Sequence, residues 1–371
     1  MTEPAHSSHV ASGMPPLDLS GRATSFFEFW PAWLMYFPVV IQWILLSIRY
    51  RSLSLPLLAN SAVPLSGMVG VAKSAMFDPA GDYARQYILP WLLLDVNKEE
   101  THELKQRALQ KFSEQGFEFP LVAKPNMGCR GVGVKLLSSE QDLLSYIEQF
   151  PPGGCIQFQK LSKWEPEAGV FYVRHPDEAK GRVTSLALKY MPYVVGDGKS
   201  TLEKLVAAEP RAGELIHLYR GRHLERWNQV IPDGEAFRLV FAASHSRGAI
   251  FREAGQLIDD RLVQALDKVF DDMPGVYYGR LDLKFSNVED LKAGKNFEII
   301  EINGASAESI NIWDRDAGLG TAIKTLLQQY NTLFTLGNAN WRRGHKPPGL
   351  IALYRAWRLE KDLVRQYPQN D

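Results

Sequence analysis

Several stretches of this chain alternate apolar and polar residues with a period of two, which places successive side chains on opposite faces of a strand. The pattern predicts strands at 119–124, 132–137, 155–159, 169–174, 183–190, 237–242, 277–285 and 297–303. Helices are expected at about 98–115, 139–149, 200–208, 213–226, 256–271 and 317–335, the first ending at Gly116 as helices often do. Strands and helices mix without a regular βαβ period, so the expected class is α+β with largely antiparallel sheets.

Two segments fall outside this pattern. Residues 26–48 are apolar except for Glu28, Gln42 and Ser47, and Arg49 and Arg51 follow them. The stretch is long enough to span a bilayer. However, Trp30, Trp33, Tyr36, Phe37 and Trp43 are spread through it, and Pro31 and Pro38 interrupt it. Aromatic rings favour the headgroup level, so an in-plane anchor rivals a span, and a helix buried on the following domain is the bland alternative. No basic n-region or small-residue cleavage site marks a signal peptide. If the segment spans, its basic flank places the C-terminal side in the cytoplasm. The second segment, 349–367, reads as a basic amphipathic helix. Ahead of both, residues 1–25 are expected to be disordered, the first twenty being rich in Ser, Pro, His and Ala.

Composition narrows the function. Lys+Arg and Asp+Glu both number 42, so there is no net charge to attract nucleic acid. Cys129 and Cys155 lack CxxC spacing, and the eight histidines form no HExxH pair. His175, His217, His223 and His245 are read as surface or satisfied residues. This suits a reducing, cytoplasmic setting.

The chemistry gathers on the late strands. Asp282 shares a strand face with Arg280, and Glu301 shares one with Asn303. If those strands are neighbours, two carboxylates and a carboxamide oxygen converge as a hard-cation site of the kind Mg²⁺ uses beside phosphates. Upstream, a strand ending in Lys124 leads into a loop with Gly128, Gly131 and Gly133, then into a second strand. Glycines let loop N–H groups approach an anion closely. This is no Walker A motif, since neither GK[ST] nor a helix follows. The segment GDGKST at 196–201 imitates one, but Tyr193 holds the first glycine position, and Ser200 with Glu203 reads as a capping box. Between them, 155–174 reads as a strand, a short polar connector and a strand; the connector is either an ordinary exposed loop or a hinge that offers backbone groups to an adenine edge, with Glu167 then able to accept ribose hydrogen bonds.

A strand lysine, a glycine-rich hairpin, a hinge with a following glutamate, a second lysine at 189, then Asp and Glu-x-Asn form a specific order. Over roughly residues 98–340 it resembles the ATP-grasp superfamily of carboxylate–amine ligases, a fold of two α+β lobes gripping ATP. It is similar to the branch of D-alanine–D-alanine ligase and the ligase half of cyanophycin synthetase, which shares a segment like VVGDGKSTL at 194–202. The resemblance implies Lys124 and Lys189 on phosphate oxygens, under a loop bearing Gly128, Arg130, Gly131 and Gly133. It puts Gln159, Lys160 and Leu161 at the adenine, and Glu167 at the ribose. It assigns Asp282, Glu301 and Asn303 to Mg²⁺ (or Mn²⁺), two ions in all, and catalytic roles to Arg280 and Lys189.

The implied reaction joins a small-molecule carboxylate to an amine through an acyl phosphate, releasing ADP and phosphate. A phosphotransferase on the same fold and a non-catalytic, membrane-associated nucleotide-binding protein are the alternatives. Homodimerisation and membrane contact through 26–48, with the catalytic domain on the cytoplasmic side, complete the expectation. The chain divides accordingly into 1–25, an apolar segment at 26–51, a reduced pre-grasp region at 52–118, the ATP-grasp domain at 119–340 and a tail at 341–371. One departure from the family pattern is Gln159, which stands where an acidic residue is common.

Overall fold

The computed structural model describes residues 9–128, 131–244 and 247–368. The expected disorder of residues 1–25 gives way, from residue 9 onward, to a packed strap. Val10, Met14 and Leu17 lie against the main core, the Tyr190 hydroxyl donates to Pro15 O at 3.2 Å, and Arg315 pairs with Asp18 at 2.8 Å. Three apolar side chains among small residues supply the burial that composition alone hides.

The strap leads into α1 (Ala32–Tyr50), which starts directly after Pro31 and ends at Arg51 in the left-handed region, φ 53°. Next come three short 3-10 turns, Leu55–Leu58, Pro64–Gly67 and Lys73–Met76. Asn60 fixes this connector to the large sheet. Its Oδ1 accepts from the Tyr277 and Tyr278 N–H groups at 2.8 and 2.9 Å, and its Nδ2 donates to Tyr278 O at 2.8 Å.

A small lobe follows, with β1 (Trp91–Asp95), α2 (Thr101–Gln115), β2 (Leu121–Pro125), β3 (Lys135–Leu137), α3 (Glu140–Glu148) and β4 (Cys155–Lys160). Its antiparallel sheet has the order β1-β4-β2-β3. Leu104, Ala108 and Phe112 of α2 and Leu143 and Ile147 of α3 pack on Leu94, Leu121, Ala123 and Phe158. The lobe therefore opens at Trp91 and not at 119. The run WLLLD carries no alternation, so nothing in its pattern marks it as the edge strand it forms.

The large sheet contains β5 (Glu167–Val173) and β6 (Arg182–Tyr190). A side unit with β7 (Tyr193–Val195) and β8 (Ala236–Arg238) interrupts it. It resumes with β9 (Ile250–Glu253), β10 (Tyr278–Phe285) and β11 (Phe297–Asn303). The order is β11-β10-β5-β6-β9, antiparallel at every pair. One face packs against α4 (Asp260–Asp271), whose Leu262, Leu266, Val269 and Phe270 meet Val170, Leu186, Leu281 and Leu283. Against the other lies α5 (Leu319–Arg342), with Leu333 and Leu336 on Phe171 and Tyr278.

In the side unit, the helix expected at 213–226 is broken into Pro210–Glu214 and Ile216–Arg220. Leu215 leaves helical angles (φ −110°, ψ 17°) and stays in the core with Tyr219 and Trp227. The expected cap at Ser200 is also shifted. Ser200 is held by Asp197, while Thr201 accepts from Lys204 N and starts the helix. The tail forms α6 (Leu350–Val364), beyond which Tyr367 is buried in the small-lobe core.

Helix α1 lies along α5. Tyr36 and Trp43 sit 6.4 and 5.7 Å from the Tyr330 ring, and Trp43 and Tyr50 sit 5.4 and 5.9 Å from Phe334. Farther along α5, Gly337 lets the Leu55 turn approach: a Cβ there would lie 1.9 Å from Leu55 O. Alanine is ordinarily better than glycine inside a helix by about 1 kcal/mol. At this position Gly337→Ala is expected to do the reverse and destabilise by about 1–3 kcal/mol, read as a fall in Tm. An unchanged or higher Tm would remove the close approach as a constraint.

Candidate active site

The cleft between the lobes is built by strand register. In β10 and β11, Arg280 stands opposite Asn303, and Asp282 opposite Glu301. On the far side of β10, Lys284 stands opposite Glu167, which in turn stands opposite Lys189 on β6. Lys189 Nζ lies 2.9 Å from Glu167 and 2.9 Å from Asp282. Arg280 holds Asp282 through Nε at 3.0 Å and Nη2 at 3.3 Å, and Asn303 Nδ2 adds a contact at 3.3 Å. Lys284 reaches the second oxygen of Glu167 at 2.9 Å.

The small lobe supplies the opposite wall. Lys124 on β2 donates to Gln159 Oε1 at 2.9 Å and crosses the cleft to Ile300 O at 3.1 Å. Lys73, carried by a 3-10 turn, lies 2.5 Å from Glu301 and donates to Gly128 O at 3.0 Å. The glycine-rich loop is thus tied at its base to a carboxylate of the large sheet. Within the loop Gly131 and Gly133 have φ of +70° and +74°, and a Cβ on Gly133 would lie 2.6 Å from Pro125 Cγ. That position requires glycine.

Burial sharpens the electrostatics. It would raise the Asp282 carboxyl, but Arg280 and Lys189 outweigh it and hold the group at about 2. Burial is likewise overcome at Glu167 by Lys189 and Lys284, and at Glu301 by Lys73 and Lys124, so both carboxyls stay below their ordinary value. For Lys189, burial loses to Asp282 and Glu167, and its ammonium is raised. Lys124 differs. Burial, opposed by Glu301 and helped by Lys73, brings it down to about 8.

The residues singled out in the sequence are brought together unevenly. Lys124, Gln159, Glu167, Lys189, Arg280, Asp282, Glu301 and Asn303 form one connected cluster. Gln159 is buried and turns its side chain to Lys124 and to Leu89 O, while Leu161 is exposed and Lys160 sits over the Phe117 ring. Glu167 is occupied by two lysines. Arg130, Cys129 and His245 lie outside the described residues. His223 is satisfied by Leu239 O at 2.8 Å.

Sequence reasoning missed Lys284, Lys73 and Glu308. Lys284 shares the strand face of Arg280 and Asp282, so the period of two marks it. Lys73 lies in a stretch without periodicity and gave no signal. Glu308 is reached from α1: the Tyr36 hydroxyl donates to its carboxylate, as does Trp313 Nε1 at 2.8 Å, while Arg280 Nη1 donates to its backbone oxygen at 3.1 Å.

Asp282, Glu301 and Asn303 offer three hard oxygen donors on adjoining positions, which fits Mg²⁺ in kind. A dication there would compete with Lys73 and Arg280 for the two carboxylates. Among the described residues, no group of three or more His, Cys, Asp and Glu side chains is arranged to hold an ion.

No protein-family model matches the sequence, and no curated protein matches it. Similar solved structures include a D-cycloserine synthetase, 11% identical, covering 70% of this chain and 70% of that one with a TM-score of 0.37. A D-alanine–D-alanine ligase from Bacillus anthracis is 14% identical, with 70% and 68% covered and a TM-score of 0.35. A bifunctional glutathione synthetase from Pasteurella multocida is 14% identical at a TM-score of 0.35; 69% of this chain spans only 36% of that one. At TM-scores of this size the likeness is one of general arrangement, and the site is read from its own side chains.

Proposed function

We propose that this chain is an ATP-dependent ligase of the ATP-grasp kind, joining a carboxylate to an amine through an acyl phosphate. The observation that carries this reading is the charge of the cleft. Among the described residues, Lys73, Lys124, Lys189, Arg280 and Lys284 gather around Glu167, Asp282 and Glu301, with Glu308 also beside Arg280, so cations still outnumber carboxylates. A sheltered cleft with surplus positive charge suits a polyanion such as a triphosphate.

In this reading Lys124 and Lys189 hold phosphate oxygens beneath the loop at 126–133. Asp282, Glu301 and Asn303 would hold Mg²⁺, which supplies charge neutralisation at the transferring phosphoryl group. The substrate carboxylate attacks the γ-phosphorus, the bond to the ADP oxygen breaks, and an acyl phosphate forms. The amine nitrogen then attacks the acyl carbon, phosphate leaves, and the nitrogen loses its proton. Arg280 is fixed by Asp282 and by Glu308 O and never loses its charge, which suits it to steadying the acyl phosphate. The protein's part is positioning and electrostatics.

Product analysis tests the reaction. With MgATP and pooled carboxylates and amines, ADP and free phosphate should appear only when both pools are present. ADP with phosphate retained on one substrate would replace this reading with a phosphotransferase. Glu301→Gln is expected to lower turnover by about 10²-fold or more with the fold intact. Arg280→Met should keep nucleotide affinity while losing turnover, and unchanged turnover would remove its role. Lys124 predicts a pH dependence. Its positive charge is lost as pH rises through about 8, so triphosphate affinity should fall above that pH, by at most about tenfold per unit. Calorimetry should record proton uptake on binding there. Lys124→Arg should flatten both trends, and a wild-type profile without this fall would remove Lys124 from the phosphates.

A further inference from the structure

The outward side of α1 is apolar along its whole length. Trp33, Phe37, Val40, Ile41, Ile44 and Ile48 recur at helical spacing and are each between 46% and 70% exposed. Soluble monomers rarely leave apolar patches above roughly 300–600 Å² in water, and a stripe of this many large side chains exceeds that. Between α1 and α5 runs a cavity of about 200 Å³ walled by Val40, Trp43, Ile44 and Tyr330. It extends the same apolar surface into a crevice.

Along this stretch of chain the charges that reach water are basic, although Glu214 comes against Thr24 from outside it. From Leu19 to Phe77 the only acidic residue is Glu28, and it is buried and turned inward onto Arg211 at 2.5 Å. Arg22, Arg49 and Arg51 are exposed. The face that water meets is therefore apolar, with exposed arginines before and after it in the chain, a pattern that suits the headgroup and upper acyl region of an anionic leaflet.

By length and composition alone, helix α1 could cross a bilayer. Its inner side rules that geometry out for the folded protein. Rings from Tyr36 to Tyr50 pack on α5, and Tyr36 is bonded to Glu308 beside the cleft. A spanning α1 would strip these contacts. We propose that α1 seats the protein in the plane of an anionic membrane surface, outer stripe in the lipid and inner stripe on the enzyme. The proposal is independent of the reaction assigned to the cleft.

Flotation of the full-length protein with vesicles of phosphatidylcholine, with and without phosphatidylglycerol, tests it. The protein should float with both and more strongly with phosphatidylglycerol, and shallow-brominated lipid should quench Trp33 emission more than deep-brominated lipid does. The doubly substituted I41E/I44E variant should stay in the aqueous fraction with an unchanged circular dichroism spectrum, and R49E/R51E should lose the preference for phosphatidylglycerol. If I41E/I44E does not fold, the Trp33 depth profile decides on the wild-type protein, with Trp33→Phe as the control that identifies the emitting ring. A wild-type monomer that ignores both vesicles would overturn the proposal. So would a lipid-indifferent wild-type dimer that I41E/I44E converts to monomer, which would make a second copy the occupant. Stronger quenching from the deep bromines would also overturn it in favour of a span.

Discussion

Asp282 and Glu301 stand opposite each other on neighbouring strands, and like charges in that relation repel. The cleft is organised around relieving this repulsion. Lys189 and Arg280 take Asp282 from one side, and Lys73 takes Glu301 from the other. Burying charges is costly unless each meets a partner, and here the carboxylates are matched and then exceeded by cations. The excess makes the cleft receptive to an anion without leaving an acidic group unpaired.

The same contacts join the two lobes. Lys124 leaves β2 to reach Ile300 O on β11, and Lys73 links the glycine-rich loop to Glu301. At the other end of the chain, Tyr367 closes the small-lobe core, and Glu360 of α6 accepts from Gly70 N at 2.5 Å. Residues before and after both lobes in sequence therefore hold the loop from two sides. Whatever enters the cleft must displace lysine contacts that also set the distance between the lobes.

How far the sequence speaks for itself varies with the kind of element. Strands half-buried on one face are legible because burial imposes the period of two. The face shared by Arg280 and Asp282, and that shared by Glu301 and Asn303, follow from this rule alone. Trp91–Asp95 is illegible because a continuous apolar run fits a strand or a buried helix equally well. The break at Leu215 and the shift from Ser200 to Thr201 come from tertiary contacts that local propensity does not contain. Lys73 lies 228 residues from its partner Glu301, in a run of turns organised by what they touch.

The bond from Tyr36 to Glu308 bears on how such a protein can be handled. Cutting away an apolar N-terminal helix is the common route to a soluble preparation. Here it would lay Trp313, Tyr330 and Phe334 open to water and deprive Glu308 of a donor a few atoms from Arg280. The helix belongs to the packed interior on its inner side and is a surface only on its outer one. Solubility without loss of that packing has to come from altering the outward side chains where they stand.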